Sequence, residues 1–370
     1  MKKYSIVFLL FLWSCQKEGF EPSVVALSNV TVSSSAVTGI SVSLSAVSKV
    51  PVQDLQAFPD CGIAFLPGTS TSPVRMIFAA GVSSYLVEGS DFSNLNKVQK
   101  VLSPGTKTDF DNGYAGISGV YVASDGTYYG IYHSEDQVGM KQLNGGVPGF
   151  YANIGWAVSK DQGVTWTKKG ILLSSRVPKT SITTGDGGLG EPSLLIKNDS
   201  TAFIYYGDHG RSVGRGCQIC VAKADPRKAW GPDQWKKWDG SDFTQPSDGG
   251  NDIPIIQGGQ YTDDVFPYAV YSKYLNKYVM TYCMNKYDEF NNPTPTLSGL
   301  YIAFSDDGIN WKDDRRLITN YAIWYDQREC VWHPSVILDS TGQTGTLFYS
   351  FKPYGSSPHY MMSAPINFSK

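Results

Sequence analysis

The sequence predicts an all-β protein, a five-bladed β-propeller closed by an N-terminal strand, and three observations predict it. Charged residues make up 17% and aromatics 13% of the 370 residues, with 38 glycines. That balance suits strands and turns better than helices. No long stretch spaces its apolar residues at helical intervals, so little helix is expected. A unit of apolar strand, polar turn and apolar strand recurs with starts near residues 58, 117, 191, 264 and 331. This spacing exceeds a propeller repeat of about 40–50 residues and leaves room for elaborate loops.

The N-terminal residues read as a targeting segment. Lys2 and Lys3 precede the apolar run Tyr4 to Trp13, which is too short to span a bilayer and right for a signal-peptide core. It ends in Leu12-Trp13-Ser14-Cys15, a sequence that resembles a bacterial lipobox with Cys15 as the lipidated residue. The alternative is an ordinary secretory signal with an incidental cysteine. Residues 1–15 are thus a signal peptide, and acyl chains on Cys15 would anchor the chain at about 0.8 kcal/mol per buried methylene. Outer membrane or cell surface is the expected location, with the membrane reached through the lipid anchor. Residues 16–50, rich in Ser, Val and Ala, read as a tether and a strand that pairs with the last blade. The rival there is a small separate β module, which so few residues would scarcely stabilise.

Residues 51–370 form the propeller on this reading. The first unit holds Ala57 to Phe65, Val74 to Phe78 and Ser84 to Glu88. Ile117 to Val122, Thr127 to His133 and Ile154 to Ser159 make the second, and Gly190 to Ile196, Thr201 to Tyr206 and Gln218 to Lys223 the third. Asp263 to Tyr271, Lys277 to Tyr282 and Leu300 to Ser305 make the fourth. Glu329 to Ile337, Gly345 to Ser350 and Tyr360 to Ser363 make the fifth. Long inserts at 134–150, 174–190, 239–262 and 284–297 are rich in Gly, Asp, Pro and Asn. Loops of that length are often functional.

The net charge of -2 and the lack of a basic stripe give no reason to expect nucleic acid as a partner. Cys217-Gln218-Ile219-Cys220 has the spacing of a zinc or redox motif, but no second pair completes it. Strand alternation sends its two sulfurs to opposite faces, so buried structural thiols are expected. No cofactor or metal site is expected, although a structural calcium or other ion in the central channel is compatible with the reading.

Ser159-Lys160-Asp161-Gln162-Gly163-Val164-Thr165-Trp166 matches the Asp-box turn, and Ser305-Asp306-Asp307-Gly308-Ile309-Asn310-Trp311 is a shortened copy. The Asp accepts backbone N–H bonds and the Gly takes positive φ, a structural role. With the acid-led strand openings, these turns resemble those of the five-bladed propeller glycoside hydrolases, the arabinanase/xylosidase and invertase groups. The resemblance is architectural over residues 55–370. It implies Asp60 as base or nucleophile and Glu191 as proton donor. The same resemblance implies a pKa-tuning aspartate in the second blade. Residues 115–122 hold none, so Asp109 or Asp111 would have to serve.

Two carboxyl groups flanking a glycosidic bond, one protonated and one ionised, are what such hydrolysis needs. Glu191, Asp60 and Asp264 are the candidates, with Asp264 a pKa modulator or sugar contact. Glu135, His133, Glu329, His333, Trp324, Tyr325 and Trp332 are candidate substrate contacts. For each the bland alternative is a solvated acid, a hydrogen-bonded structural histidine or a ring packed between blades. The expected function is therefore a glycoside hydrolase acting outside the cytoplasm on a poly- or oligosaccharide. The rivals are a non-catalytic surface glycan-binding lipoprotein and, less directly, a polysaccharide lyase or phosphorylase.

Overall fold

A computed structural model describes residues 30–32, 38–182, 185–198, 200–209, 217–257, 262–286, 294, 298–319, 329–353 and 358–370. Cys15, Trp324 and Tyr325 lie outside the described residues. The chain is nearly all β, as its composition predicts. A short helix α1 (Gln137–Leu143) interrupts the insert at 134–150, started by the Asp136 carboxylate accepting the Gly139 N–H. Among the described residues no helix is long and apolar enough to cross a membrane.

The strands fall into antiparallel groups in chain order. After β1 (Val30–Val32), β2 (Ser41–Leu44) and β3 (Ser48–Lys49), the first group is β4 (Ala64–Phe65), β5 (Val74–Ala80), β6 (Ser83–Asp91) and β7 (Asn94–Leu102). The second is β8 (Tyr114–Val122), β9 (Tyr128–Asp136), β10 (Tyr151–Ser159) and β11 (Thr167–Leu173). The third is β12 (Gly187–Asn198), β13 (Thr201–Asp208), β14 (Gln218–Ala224), β15 (Lys236–Trp238) and β16 (Phe243–Pro246). The fourth is β17 (Thr262–Ser272), β18 (Lys277–Lys286), β19 (Gly299–Ser305) and β20 (Trp311–Thr319). β21 (Cys330–Leu338), β22 (Thr344–Lys352) and β23 (Tyr360–Ser369) make the last, and β23 also pairs with β2 and β3. Short parallel contacts, Ser83 with Ala115 and Tyr151 with Gly187, link the first three groups into one sheet.

The core lies in apolar layers between successive groups. Ala64, Ile77 and Leu86 pack with Ile117 and Tyr132; Ile154 and Leu172 pack with Ile204 and Cys220. Phe203 and Val221 meet Met280 and Tyr282, and Val279 and Ile302 meet Val336 and Leu347. Met76 and Phe78 pack with Phe348 and Met361 of the last group. Each fully buried phenylalanine in such a layer contributes about 1.5–3 kcal/mol through lost apolar exposure.

Serine side chains stitch the first strands of adjacent groups together. Ser118 Oγ donates to the Pro192 carbonyl. Ser193 Oγ accepts the Ala269 N–H at 3.1 Å, and Ser335 Oγ accepts the Ile63 N–H at 3.0 Å. Both Trp-ending turns take the geometry read from sequence. Asp161 accepts from the Thr165 N–H at 2.9 Å, and Asp307 accepts from the Ile309 and Asn310 N–H groups at 2.8 Å. Their carboxylates are occupied by the turns themselves.

Candidate active site

One backbone device recurs in β12, β17 and β21. Pairing of β12 with β13 breaks between Gly190 and Ser193, that of β17 with β18 between Val265 and Tyr268, and that of β21 with β22 between Trp332 and Ser335. In each, two residues oppose one on the partner strand, namely Glu191-Pro192, Phe266-Pro267 and His333-Pro334. Proline has no N–H to lose and therefore suits a bulge. The residue before it sits at φ 48°, 57° and 51° in the three strands. That left-handed region is costly for a side chain other than glycine.

At the third-group bulge two glycines face each other, Gly190 across from Gly207. A Cβ on Gly190 would lie 2.8 Å from His133 Cε1 and 3.1 Å from His209 Nε2; one on Gly207 would lie 3.0 Å from Glu191 Oε2. Only glycine leaves room for two imidazoles and a carboxylate at this point. His209 Nε2 is 2.9 Å from Glu191 Oε2. The Glu191 N–H donates to His133 Nδ1 at 3.1 Å, and His133 Nε2 lies 3.0 Å from Glu135 Oε1. Phe150 meets both His133 and His209 edge-on.

Asp60 precedes β4, its N–H bonded to the Ala79 carbonyl at 2.9 Å. Its Oδ1 is 3.7 Å from His333 Nε2 and 3.9 Å from His359 Nε2. Neither distance is a hydrogen bond, and the His359 Nε2 and both His333 ring nitrogens are buried without partners. The chain has four histidines, and all of them lie in this one cluster.

Charge is distributed unevenly across it. Burial raises Glu191, but His209, His133 and His333 outweigh it and hold the carboxyl down at about 2. Asp60 is pushed up to about 7 by burial; His359 and His133 oppose the rise, and Glu135 and Glu191 add to it. Burial holds His333 at about 3 and His359 at about 4. For His209, burial disfavours charge, yet Cys217 and Glu191 lift it well above the ordinary histidine value. Two carboxyl groups of one electrostatically coupled cluster are thus shifted in opposite directions, the pattern by which paired acids take different roles.

The remaining candidates sit elsewhere. Asp264 is fully buried with neither oxygen hydrogen-bonded. Burial raises it to about 7, with Asp263 and Asp314 adding and Lys286 opposing. Its N–H bonds the Cys217 carbonyl at 2.9 Å, and the residue at the Glu191 position in this group is Phe266, whose ring lies 4.2 Å from that of His333. Glu329 lies near Tyr360. Trp332 is buried against His359 and His333. Asp111 pairs with Lys168 at 2.5 Å and Asp109 caps its own turn at Thr106, so neither addresses Glu191. The five described cysteines are buried, with Cys217 and Cys220 in different apolar layers.

His209 and His359 join this cluster through Glu191 and Asp60 and are not among the residues that the sequence singles out. Lone histidines in loops carry no pattern. The available signal was scarcity, since a chain with so few imidazoles does not cluster them by chance. Among the described residues one trio of metal-type donors lies close together, Asp208, Cys220 and Asp252, all buried. The fully buried Lys237 ammonium lies 3.9 Å from Asp252 and donates to the Ser174 and Gly250 carbonyls. It already supplies the countercharge.

The fold is shared with solved glycosidases. A thermostable family-43 glycoside hydrolase superposes with a TM-score of 0.55 at 14% identity, covering 86% of this chain and 91% of that one. An alpha-L-arabinofuranosidase from Lactobacillus brevis gives 0.53 at 10% identity, covering 84% of this chain and 91% of that one. No family model matches the sequence, and no curated protein matches it. At such identities the likeness concerns architecture alone.

Proposed function

We propose that the protein is a glycoside hydrolase acting on a poly- or oligosaccharide, with Asp60 and Glu191 as its carboxyl pair. The observation that carries this is that Glu191, 2.9 Å from His209 and bonded through its N–H to His133, and Asp60, 3.7 and 3.9 Å from His333 and His359, gather all four histidines of the chain around two buried carboxyl groups. Glu191, bonded to His209 and held near 2, acts as the ionised carboxylate, either nucleophile or general base. Asp60, poised near 7, carries the proton to the leaving oxygen. These roles exchange the ones that the resemblance to propeller hydrolases implies. His333, with both ring nitrogens buried and not hydrogen-bonded, and His359, with its Nε2 in the same state, are the groups offered to sugar hydroxyls.

The scaffold is read as a five-bladed propeller. Each antiparallel group is a blade, and the layer joining Met76 and Phe78 to Phe348 and Met361 supports a ring that returns on itself. β2 adds its strand to the last blade. On this reading, lipidation of the lipobox-like Cys15 would hold the enzyme at the outer membrane or cell surface, where carbohydrate polymers are met. The test is to screen the purified protein against plant, host and microbial glycans, then to assay Glu191→Gln on any that is cleaved. Undiminished hydrolysis by that variant would sink the assignment.

A further inference from the structure

We propose that His133 is a positioning residue for Glu191, held in one tautomer by Glu135, rather than a group that touches the substrate. The proposal rests on the reading of Glu191 as a reacting carboxylate. A backbone N–H can only donate, and that of Glu191 meets His133 Nδ1 at 3.1 Å, so this nitrogen carries the lone pair. A neutral imidazole then has its proton on Nε2, which faces Glu135 Oε1 at 3.0 Å. The other Glu135 oxygen accepts from Gln137 Nε2 at 2.6 Å. Both Glu135 oxygens thus have partners within the chain.

The ring is also walled in. Tyr114 meets it edge-on at 5.2 Å and Phe150 at 6.1 Å, and the His133 side chain is 5% exposed. Burial opposes charge on it, whereas Glu135 and Glu191 favour charge and lift it above the ordinary value. Taking up a second proton would nevertheless set Nδ1–H against the Glu191 N–H, so charge comes only by giving up that bond. The bond matters because the bulge leaves Glu191 in the left-handed region at φ 48° without a strand partner for its N–H. His133 fixes the backbone end of Glu191 and His209 fixes its carboxylate. Glycine at 190 makes the approach possible, since a Cβ there would collide with the His133 ring.

The decisive measurement is imidazole ¹⁵N NMR on the labelled full chain at pH 8, with His133 assigned through His133→Asn. The wild type should show the Nε2–H tautomer, and Glu135→Ala should lose it. A Nδ1–H or doubly protonated ring in the wild type overturns the proposal whatever the activity. Kinetics supply the second arm. Glu135→Gln keeps an oxygen that accepts from Nε2–H and should hold kcat within about threefold. Glu135→Ala and His133→Asn should lose about a hundredfold in kcat with little change in KM, as misplacement of a reacting group does. Equal losses in Glu135→Gln and Glu135→Ala, or losses confined to KM, would mean direct substrate contact and overturn it. A wild-type chain that cleaves no glycan overturns the glycosidase reading instead, while the tautomer still decides this proposal.

Discussion

The bulges of β12 and β17 share a backbone and differ in what it presents. Each breaks its pairing for two residues, puts the first at positive φ and follows it with proline. In β12 the strained residue is Glu191, surrounded by imidazoles; in β17 it is Phe266, packed at a tilt against His333. The bend is therefore architecture, and chemistry enters only where the bent residue is a carboxylate with partners cleared for it by Gly190 and Gly207. Strain at a bulge is evidence of an aimed side chain, and its identity decides what the aim is for.

The comparison breaks most visibly at the carboxylate. Glu191→Gln should lower kcat about 10³-fold on a cleaved glycan while leaving the melting temperature nearly unchanged, whereas Phe266→Leu should change kcat little. Phe266→Ala tests the other side: emptying a buried aromatic site should cost about 3–5 kcal/mol in denaturant unfolding, with a far smaller effect per active molecule. The pH profile sharpens the contrast within the pocket. Asp60, raised to about 7, is protonated below that pH and ionised above it. kcat/KM should therefore fall as pH rises through about 7, and Asp60→Asn should leave a low rate without that limb. Smallest is Pro267→Ala, which should cost about 0.5–1 kcal/mol by loosening the unfolded chain, again by denaturant titration. A larger loss there would mean that proline enforces the bend rather than merely fitting it.

Much of this architecture was legible. Continuous apolar runs such as Thr201 to Tyr206 became strands buried on both faces, with Ala202, Ile204 and Tyr206 in one apolar layer and Phe203 and Tyr205 in the next. The Ser159 to Trp166 turn formed as its residue types require. Glu191 was legible because it precedes a proline at the mouth of an apolar strand. In Asp263-Asp264-Val265-Phe266-Pro267 the residue before proline, Phe266, marks the bend, two positions after Asp264. His209 and His359 were not legible because their partners lie 18 residues away for His209 and at the far end of the chain for His359. The opposed ionisation of Asp60 and Glu191 depends on burial and neighbouring imidazoles, which only the folded chain brings together.

The lacing of β2 between β1 and β23 has a mechanical consequence. β2 pairs with the C-terminal strand from Ser41↔Ser369 to Leu44↔Ile366, and Arg315 clamps the Ile40 carbonyl at 2.9 Å. A force entering from the N-terminal side would first strip the rungs between β1 and β2 and then reach the arginine clamp. Only after that would it peel the last sheet, rung by rung, and the Asp60–Glu191 pocket would be loaded late.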